Sequence, residues 1–352
     1  MRVAIEAASL ALTSGGLARY TSELSLALSR CFPDDEFYLL SDQPFQMPGD
    51  APQNLRRGGG PRSAIERRWW LWGLARELGR LGADLVHGPD FAVPYLARRP
   101  SVLTIHDLSP WMDSRWHHAA ERVRRRTPVL LELGLATMVI TPGETVRKAV
   151  IERFRLLPDR VVAVPEAAPS WLSPIAGPAS ARPYFLFVGT IEPRKNLDAL
   201  LEAWRAVREE HEVDLVIAGR RRADGPAITG EPGLRLMGEV PDTDLASLYS
   251  GAVAFVYPSH YEGFGLPVLE AMQCGAPVIA SRAVYEAAGD AAMYAGDAGE
   301  IAGAMRSLLA IPALKAEIRD RSLARARQFS WERTARKTRE VYEEARRRFA
   351  RS

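Results

Sequence analysis

Two carboxylates stand eight residues apart in the stretch Tyr261-Glu262-Gly263-Phe264-Gly265-Leu266-Pro267-Val268-Leu269-Glu270, with a Gly-x-Gly turn and a proline between them. On one continuous helix that spacing would separate them by about 12 Å and rotate the second roughly 80° from the first, so they could not easily share a ligand. The turn changes this. Gly263 and Gly265 permit a left-handed backbone and close approach of a ligand to the main chain, and Pro267 suits the first turn of a new helix. The spacing therefore predicts a helix opening near Gly265. Its unpartnered N–H groups favour an anion, Glu270 projects about a turn further on, and Glu262 stays on the preceding loop. A phosphate at the helix start with a carboxylate to either side fits a nucleotide sugar. Taken alone, the same residues also read as a strand-to-helix turn with two solvated glutamates.

Other loops add to this. In open α/β sheets, ligands bind beyond the carboxyl ends of strands. After Val188-Gly189, the run Thr190-Ile191-Glu192-Pro193-Arg194-Lys195-Asn196-Leu197 puts two adjacent cations ahead of a helix, suited to neutralising a diphosphate. His106-Asp107 follow another strand end, where a histidine can donate to a sugar hydroxyl or to charge on a scissile bond, and Asp107 can orient it or cap a turn. Gly15-Gly16 offers backbone N–H groups to a phosphate or an acceptor. Read singly, these are equally a solvated charge pair, a structural histidine and a plain turn.

Several motifs point elsewhere and are set aside. Asp242-Thr243-Asp244 has a metal-binding Asp-x-Asp pattern, but it follows Pro241 and opens a helix, where Asp is an expected cap. His117-His118 are neighbours rather than an i, i+4 ligand pair. No Gly-x-Gly-x-x-Gly fingerprint, Walker loop or Gly-x-Ser-x-Gly elbow follows a strand, which argues against dehydrogenase, ATPase and serine-hydrolase chemistry. Arg122, Arg124, Arg125 and Arg126, with Arg115, Trp111 and Trp116 near them, form either a solvated helix face or an edge that meets anionic lipid or a phosphorylated acceptor, helped by Trp69, Trp70 and Trp72.

The elements that must position these residues alternate: short apolar strands, then longer amphipathic helices, which implies parallel sheets covered on both faces. At 352 residues, 47% hydrophobic and 25% charged, the chain has material for two globular domains. A Pro- and Ala-rich stretch suggests the division: an N-terminal domain over 1–168, a linker over 169–182, a second domain over 183–329, and a closing helix over 330–352 expected to pack back on the first. Within the first domain, 44–61 reads as a surface loop, Ser63 to Leu81 and Trp116 to Leu135 as helices, and Thr141 as a helix cap. The net charge of +3 gives no bulk attraction to nucleic acid. Cys31 and Cys274 support neither a disulfide framework nor a thiolate metal site. With no signal-peptide pattern at Met1 to Ile5 and no bilayer-length apolar run, a cytoplasmic setting is expected, with peripheral contact at the inner face of the membrane as the alternative.

Taken together, these residues resemble the retaining glycosyltransferases of family GT4, of GT-B fold, particularly their bacterial mannosyltransferase-like branch. The likeness runs nearly end to end: Gly15-Gly16 with Arg19-Tyr20, His106-Asp107, Val188 to Leu197, Gly238-Glu239-Val240, Tyr257 through Met272, Gly275-Ala276-Pro277-Val278, Gly289-Asp290-Ala291-Ala292 and Phe329-Ser330-Trp331. It implies an α/β protein of two Rossmann-like doubly wound domains facing an interdomain cleft. It also implies metal-independent hexose transfer from a GDP-, UDP- or dTDP-sugar, mannose from GDP-mannose first, to a glycan, lipid-linked or small-molecule acceptor. By the same resemblance, Arg194 and Lys195 hold the donor diphosphate, with Gly189 and Thr190 in their loop, and Glu270 holds the ribose diol. The Phe264 to Leu266 backbone, with Gly263 and Gly265, holds the sugar and β-phosphate, and Glu262 meets sugar hydroxyls or the developing cation. His106 reaches the donor sugar, Gly15 and Gly16 lie on the phosphate side, and Val240 sits against the base. Thr190 departs from the pattern, since many relatives carry Arg there. A nucleotide-sugar epimerase of the same architecture and a non-catalytic nucleotide-sugar-binding module are the alternatives.

Overall fold

The apolar runs become two separate parallel sheets, each in its own compact unit: residues 1–166 with 331–352, and residues 167–330. The computed structural model describes residues 1–12, 15–96, 98–113, 116, 120–176, 180 and 182–351. Thr13, Ser14, Arg115, His117, His118 and Pro178 lie outside the described residues, so the turn before Gly15 and the start of the 116–135 helix carry no structural statement.

In the first unit, β1 (Arg2–Glu6), β2 (Glu36–Leu40), β3 (Leu55–Arg57), β4 (Leu85–Gly88), β5 (Ser101–Thr104), β6 (Met138–Thr141) and β7 (Val161–Ala163) lie side by side in the order β3-β2-β1-β4-β5-β6-β7. All pairings are parallel, with Val3 beside both Phe37 and Leu85. Strands covered on both faces need no polar alternation, hence continuous runs such as Met138-Val139-Ile140. The order reverses direction between β1 and β4, the place where such sheets open a crevice at their carboxyl ends.

Four expectations are corrected in this unit. The 44–61 stretch contains β3: Phe37 N–H donates to the Asn54 carbonyl at 2.8 Å and Gly58 N–H to the Leu39 carbonyl at 2.9 Å. Its Pro- and Gly-rich surroundings hide a three-residue edge strand. The helix expected from Ser63 to Leu81 is instead a wide π-type turn at Trp69–Gly73 followed by a helix at Leu74–Leu81. Only glycine fits where the two join, because a Cβ at residue 73 would lie 2.2 Å from the Glu66 carbonyl oxygen. The next helix covers Glu121–Glu132, with Pro128 inside it. Thr141 ends β6 rather than capping a helix; its hydroxyl donates to the Gly143 carbonyl at 3.1 Å, and the helix Glu144–Phe154 follows.

The helix Trp331–Phe349 belongs to this first unit. Trp331, Thr334, Ala335, Thr338, Tyr342 and Ala345 are buried on one stripe at helical spacing. Polar ties fix its register. Tyr342 shares a 2.7 Å hydrogen bond with His87 Nδ1, the Thr334 hydroxyl donates to the Pro165 carbonyl at 2.7 Å, and Arg339 Nε donates to Asp35 at 2.7 Å.

The second unit repeats the arrangement. β8 (Tyr184–Val188), β9 (Asp214–Ala218), β10 (Leu234–Gly238), β11 (Ala254–Tyr257), β12 (Val278–Ala280) and β13 (Met293–Tyr294) run parallel in the order β10-β9-β8-β11-β12-β13. The stretch 169–182 is not a free linker but part of this unit. Leu172 is buried in its core, the Gln273 amide donates to the carbonyls of Pro169 at 2.6 Å and Leu172 at 2.8 Å, and Ile175 N–H donates to the Ser250 hydroxyl at 3.0 Å. Prolines that broke regular structure also left carbonyls for a neighbouring side chain to bind. Among the described residues, no helix is long and apolar enough to cross a membrane.

Candidate functional site

Strand order in the second sheet reverses between β8 and β11, so the loops leaving those two strands meet at its switch point. They carry Arg194-Lys195 and Glu262. Past β8 the chain makes a short 3₁₀ turn, Pro193–Lys195, which ends at Asn196 with φ 53°. Asn is among the few residue types that accept this left-handed conformation, and the helix Leu197–Arg208 starts from it. Ile191 bridges to Arg221, and the Arg194 carbonyl accepts His260 N–H at 2.9 Å, so the turn is tied to the loops after β9 and β11.

Held in this way, both cations face Glu262. Arg194 donates from Nη1 to Glu262 Oε2 at 3.0 Å and to the Tyr261 carbonyl at 2.7 Å, and from Nη2 to Glu192 at 2.8 Å. Lys195 Nζ donates to Glu262 Oε1 at 2.6 Å and to the Tyr257 hydroxyl at 2.6 Å. Arg222 closes the outer side, pairing with Glu192 and Asp224. Arg194 is only 8% exposed and Lys195 6%. Burial works to raise the Glu262 pKa, but the charges of Arg194 and Lys195 outweigh it, and the carboxyl is held down at about 2. Burial pulls Lys195 below the ordinary lysine value and lifts Tyr257 well above the ordinary phenol value. The cluster is thus a preformed pair of cations whose present counter-ion is a carboxylate on the adjacent loop, a setting in which a diphosphate can compete for the same donors.

The predicted helix is present as Leu266–Gln273, with Pro267 at its second position. Gly265 precedes it at φ +106°, and a Cβ there would lie 2.8 Å from Val284 Cγ1, so both conformation and space require glycine. Phe264 is buried with Ala168, Leu269 and Ala287, edge-on to Phe329 at 5.7 Å between ring centres. With Phe264 and Leu266 packed inward, what this turn offers a ligand is its main chain. Glu270 is 2% exposed and accepts a hydrogen bond from the Tyr249 hydroxyl at 2.9 Å. Gly263 in the same turn and Gly189 and Thr190 just past β8 are half-buried, and Val240, just past β10, packs half-buried on the core.

In the first unit, Gly15 has φ +122° and immediately precedes the helix Gly16–Cys31, with open space around both glycines. His106 follows β5. Its Nδ1 lies 2.9 Å from Glu166 Oε1 and its Nε2 2.8 Å from the Pro89 carbonyl. A carbonyl only accepts, so Nε2 carries a proton, while Nδ1 faces the Glu166 carboxylate, a neighbour that favours the doubly protonated ring. Burial opposes that charge, but the Glu166 hydrogen bond and charge and the Pro89 carbonyl outweigh it, raising the pKa. Tyr20 packs edge-on against the ring at 4.6 Å. Of the two roles open to Asp107, the turn is the one observed: it accepts from the Ser109 N–H at 2.8 Å and hydroxyl at 2.6 Å.

Three supporting groups escaped the sequence reading. Glu192 stood within the quoted loop without an assigned role. Arg222 lies thirty residues away with no local signal. Tyr249 sits on a different helix, Asp242–Gly251, from the glutamate it supports. Asp242 and Asp244 are exposed in the first turn of that helix, with Pro241 at the cap position. Among the described residues, no three His, Cys, Asp or Glu side chains gather into a group that could hold a metal ion.

Comparison with known proteins follows the same two units. The family profile described as Glycosyltransferase Family 4 matches residues 14–168, and that described as Glycosyl transferases group 1 matches residues 182–310. The O-antigen chain mannosyltransferase B of Escherichia coli is 35% identical over 73% of this chain and 74% of its own. The serotype-specific mannosyltransferase WbdA of Escherichia coli is 28% identical over 67% of this chain but only 32% of its own length, so this chain spans about a third of that relative. The crystal structure of Anabaena HepE in complex with UDP-glucose superposes with a TM-score of 0.73 at 17% identity, covering 98% of this chain and 100% of that one.

Proposed function

This chain belongs to glycosyltransferase family 4 and is a glycosyltransferase of GT-B fold, and from that premise we propose that it transfers mannose, with retention and without a metal, from GDP-mannose to a glycan or lipid-linked acceptor. The observation that carries the reading is the buried Arg194–Lys195 pair at the second sheet's switch point. Charge develops on a leaving diphosphate as the glycosidic bond breaks, and two fixed cations next to a helix start stabilise it without reorganising. Glu262, freed from the cations by the diphosphate, turns to the hydroxyls of the sugar. Glu270, steadied by Tyr249, takes the ribose diol, and the Gly263–Leu266 main chain takes the sugar and β-phosphate. Val240 meets the base, and Gly189 and Thr190 complete the diphosphate loop. His106 and Gly15–Gly16 are the donor-directed residues of this reading on the first unit. Mannose is supported by the two Escherichia coli mannosyltransferases, a glycan acceptor by the O-antigen chain on which the first of them is named, and a nucleotide-sugar donor by the ligand of HepE.

The test begins with calorimetric titration of GDP, UDP and dTDP, followed by transfer assays with the corresponding sugars. The expected result is tightest binding of GDP, mannose incorporation from GDP-mannose in the presence of a chelator, and an anomeric configuration matching the donor. Tighter UDP binding with UDP-hexose transfer would reject the mannosyl assignment, and strict metal dependence would return attention to Asp242 and Asp244.

A further inference from the structure

A second positively charged feature lies wholly within the first unit and is not used above. Residues 122, 125 and 126 are spaced i, i+3 and i+4 along the helix Glu121–Glu132, so their side chains share one face. They line a recess of 380 Å³ together with Trp70 and Tyr95. The position is built rather than incidental. The Thr127 hydroxyl donates to the Phe91 carbonyl at 2.8 Å, pinning the helix to the loop that follows β4. Tyr95 N–H donates to the Trp70 carbonyl at 3.0 Å, joining the two aromatic walls. Pro128 has no N–H for the Arg124 carbonyl, and the Trp111 indole N–H, at 3.4 Å, faces that carbonyl instead.

The guanidinium groups are undersupplied with anions. Arg126 stacks over the Trp70 ring at 4.7 Å, and its Nε is buried with no hydrogen-bond partner among the described residues. Leaving a buried donor of a charged group unsatisfied is costly unless a ligand completes it. Arg122 makes no ion pair among the described residues, and Arg125 pairs only with Glu121, at 2.6 Å on the exposed side. The carboxylates whose charges reach Arg126 from the packed elements are Asp90 and Glu6; burial raises the Asp90 pKa and pushes Glu6 up to about 8. Tyr95 also faces Arg126, and Arg122 adds like charge.

We propose that this recess binds the phosphoryl or diphosphate end of the acceptor, between the Arg122, Arg125 and Arg126 guanidinium groups and the faces of Trp70 and Tyr95. Guanidinium forks match phosphate oxygens in pairs, and several such forks on one helix face favour a multiply charged anion over a single carboxylate. The aromatic walls provide an apolar surface for the group that carries the phosphate. That the ligand is the acceptor rests on the transferase reading; the anion site itself does not.

Inorganic pyrophosphate is the probe, titrated calorimetrically into the full chain without nucleotide, since a nucleoside diphosphate carries the same group. Wild type should show a pyrophosphate site that Lys195→Ala, altered only in the donor-side cation pair, retains. The double variant Arg122→Gln/Arg125→Gln, changed only at exposed positions, should bind at least tenfold more weakly. Sedimentation with vesicles of phosphatidylglycerol or phosphatidylcholine separates the sources of the phosphate. Binding to phosphatidylglycerol that pyrophosphate displaces and the double variant loses supports a lipid headgroup, whereas a response to pyrophosphate alone supports a soluble phosphorylated acceptor. Absence of a pyrophosphate site that survives Lys195→Ala, or binding at that site by the Arg122→Gln/Arg125→Gln variant within twofold of wild type, overturns the site. Donor hydrolysis by the wild-type chain without acceptor tests the transferase reading on its own.

Discussion

Replacing Glu262 with Gln removes a negative charge from between two buried cations. The wild-type carboxyl is held at about 2 against an ordinary 4.5, and at about 1.36 kcal/mol per unit its ionised form contributes roughly 3 kcal/mol to folding. The side chain is 8% exposed, so solvent screens little of this. The sign is that of a depressed carboxyl: the contribution is complete above pH 4.5 and is lost as pH falls through about 2. At pH 3 the same linkage leaves about 1 kcal/mol. Urea denaturation of wild type and Glu262→Gln, followed by tryptophan fluorescence, should therefore differ by about 3 kcal/mol at pH 7 and about 1 kcal/mol at pH 3, the former matching the cost of breaking a buried ion pair from one side. Taking the difference between the two proteins cancels the titrating groups that do not face Glu262; Lys195 and Tyr257, which do, are shifted only at far higher pH than this range. An equal difference at both pH values, or none at pH 7, refutes the charge arrangement described for this loop.

Lys195→Ala should lower kcat/KM for donor cleavage by on the order of 10²–10³, the scale for removing a preorganised donor from a developing negative charge; unchanged cleavage would remove Lys195 from the diphosphate site. Wild type should bind GDP about tenfold more tightly than its 2′,3′-dideoxy analogue, and Glu270→Gln should bind the two alike, as measured by calorimetry; a preference that survives in the variant would place the ribose elsewhere. His106, with its pKa raised, stabilises the fold fully below the ordinary 6.5, and this contribution fades as pH rises through the folded value. The melting temperatures of wild type and His106→Gln should thus converge as pH rises above 6.5, and a gap that widens with pH would contradict the raised pKa.

Sequence carried the donor-side turn further than the rest because its constraints are local. Gly265 needs a positive φ, Pro267 needs a first-turn position and Glu270 follows by helical spacing, all within ten residues. The alternation of strands and helices gave two doubly wound units, which the two sheets and the likeness to HepE bear out. Illegible features depend on distant partners. The close approach of the Glu66 carbonyl leaves room only for glycine at 73, Leu55 becomes a strand because β2 presents a free edge, and the 169–182 stretch is held by Gln273, about a hundred residues later. His106 could be placed at a strand end from sequence, but its charge state could not, since Glu166 and the Pro89 carbonyl decide it.

The return of the Trp331–Phe349 helix to the first unit has a consequence for how the chain is made. His87, with no access to solvent, finds one of its two hydrogen-bond partners in Tyr342, 255 residues later. A ribosome adds roughly 5–20 residues per second, so the first sheet waits many seconds, its helix-binding surface uncovered, until the Trp331–Phe349 helix emerges. The second unit, contiguous from Ala167 to Ser330, is complete before then. The usual vectorial order is inverted: the half synthesised second can close first, and the half synthesised first stays open until the Trp331–Phe349 helix has been made.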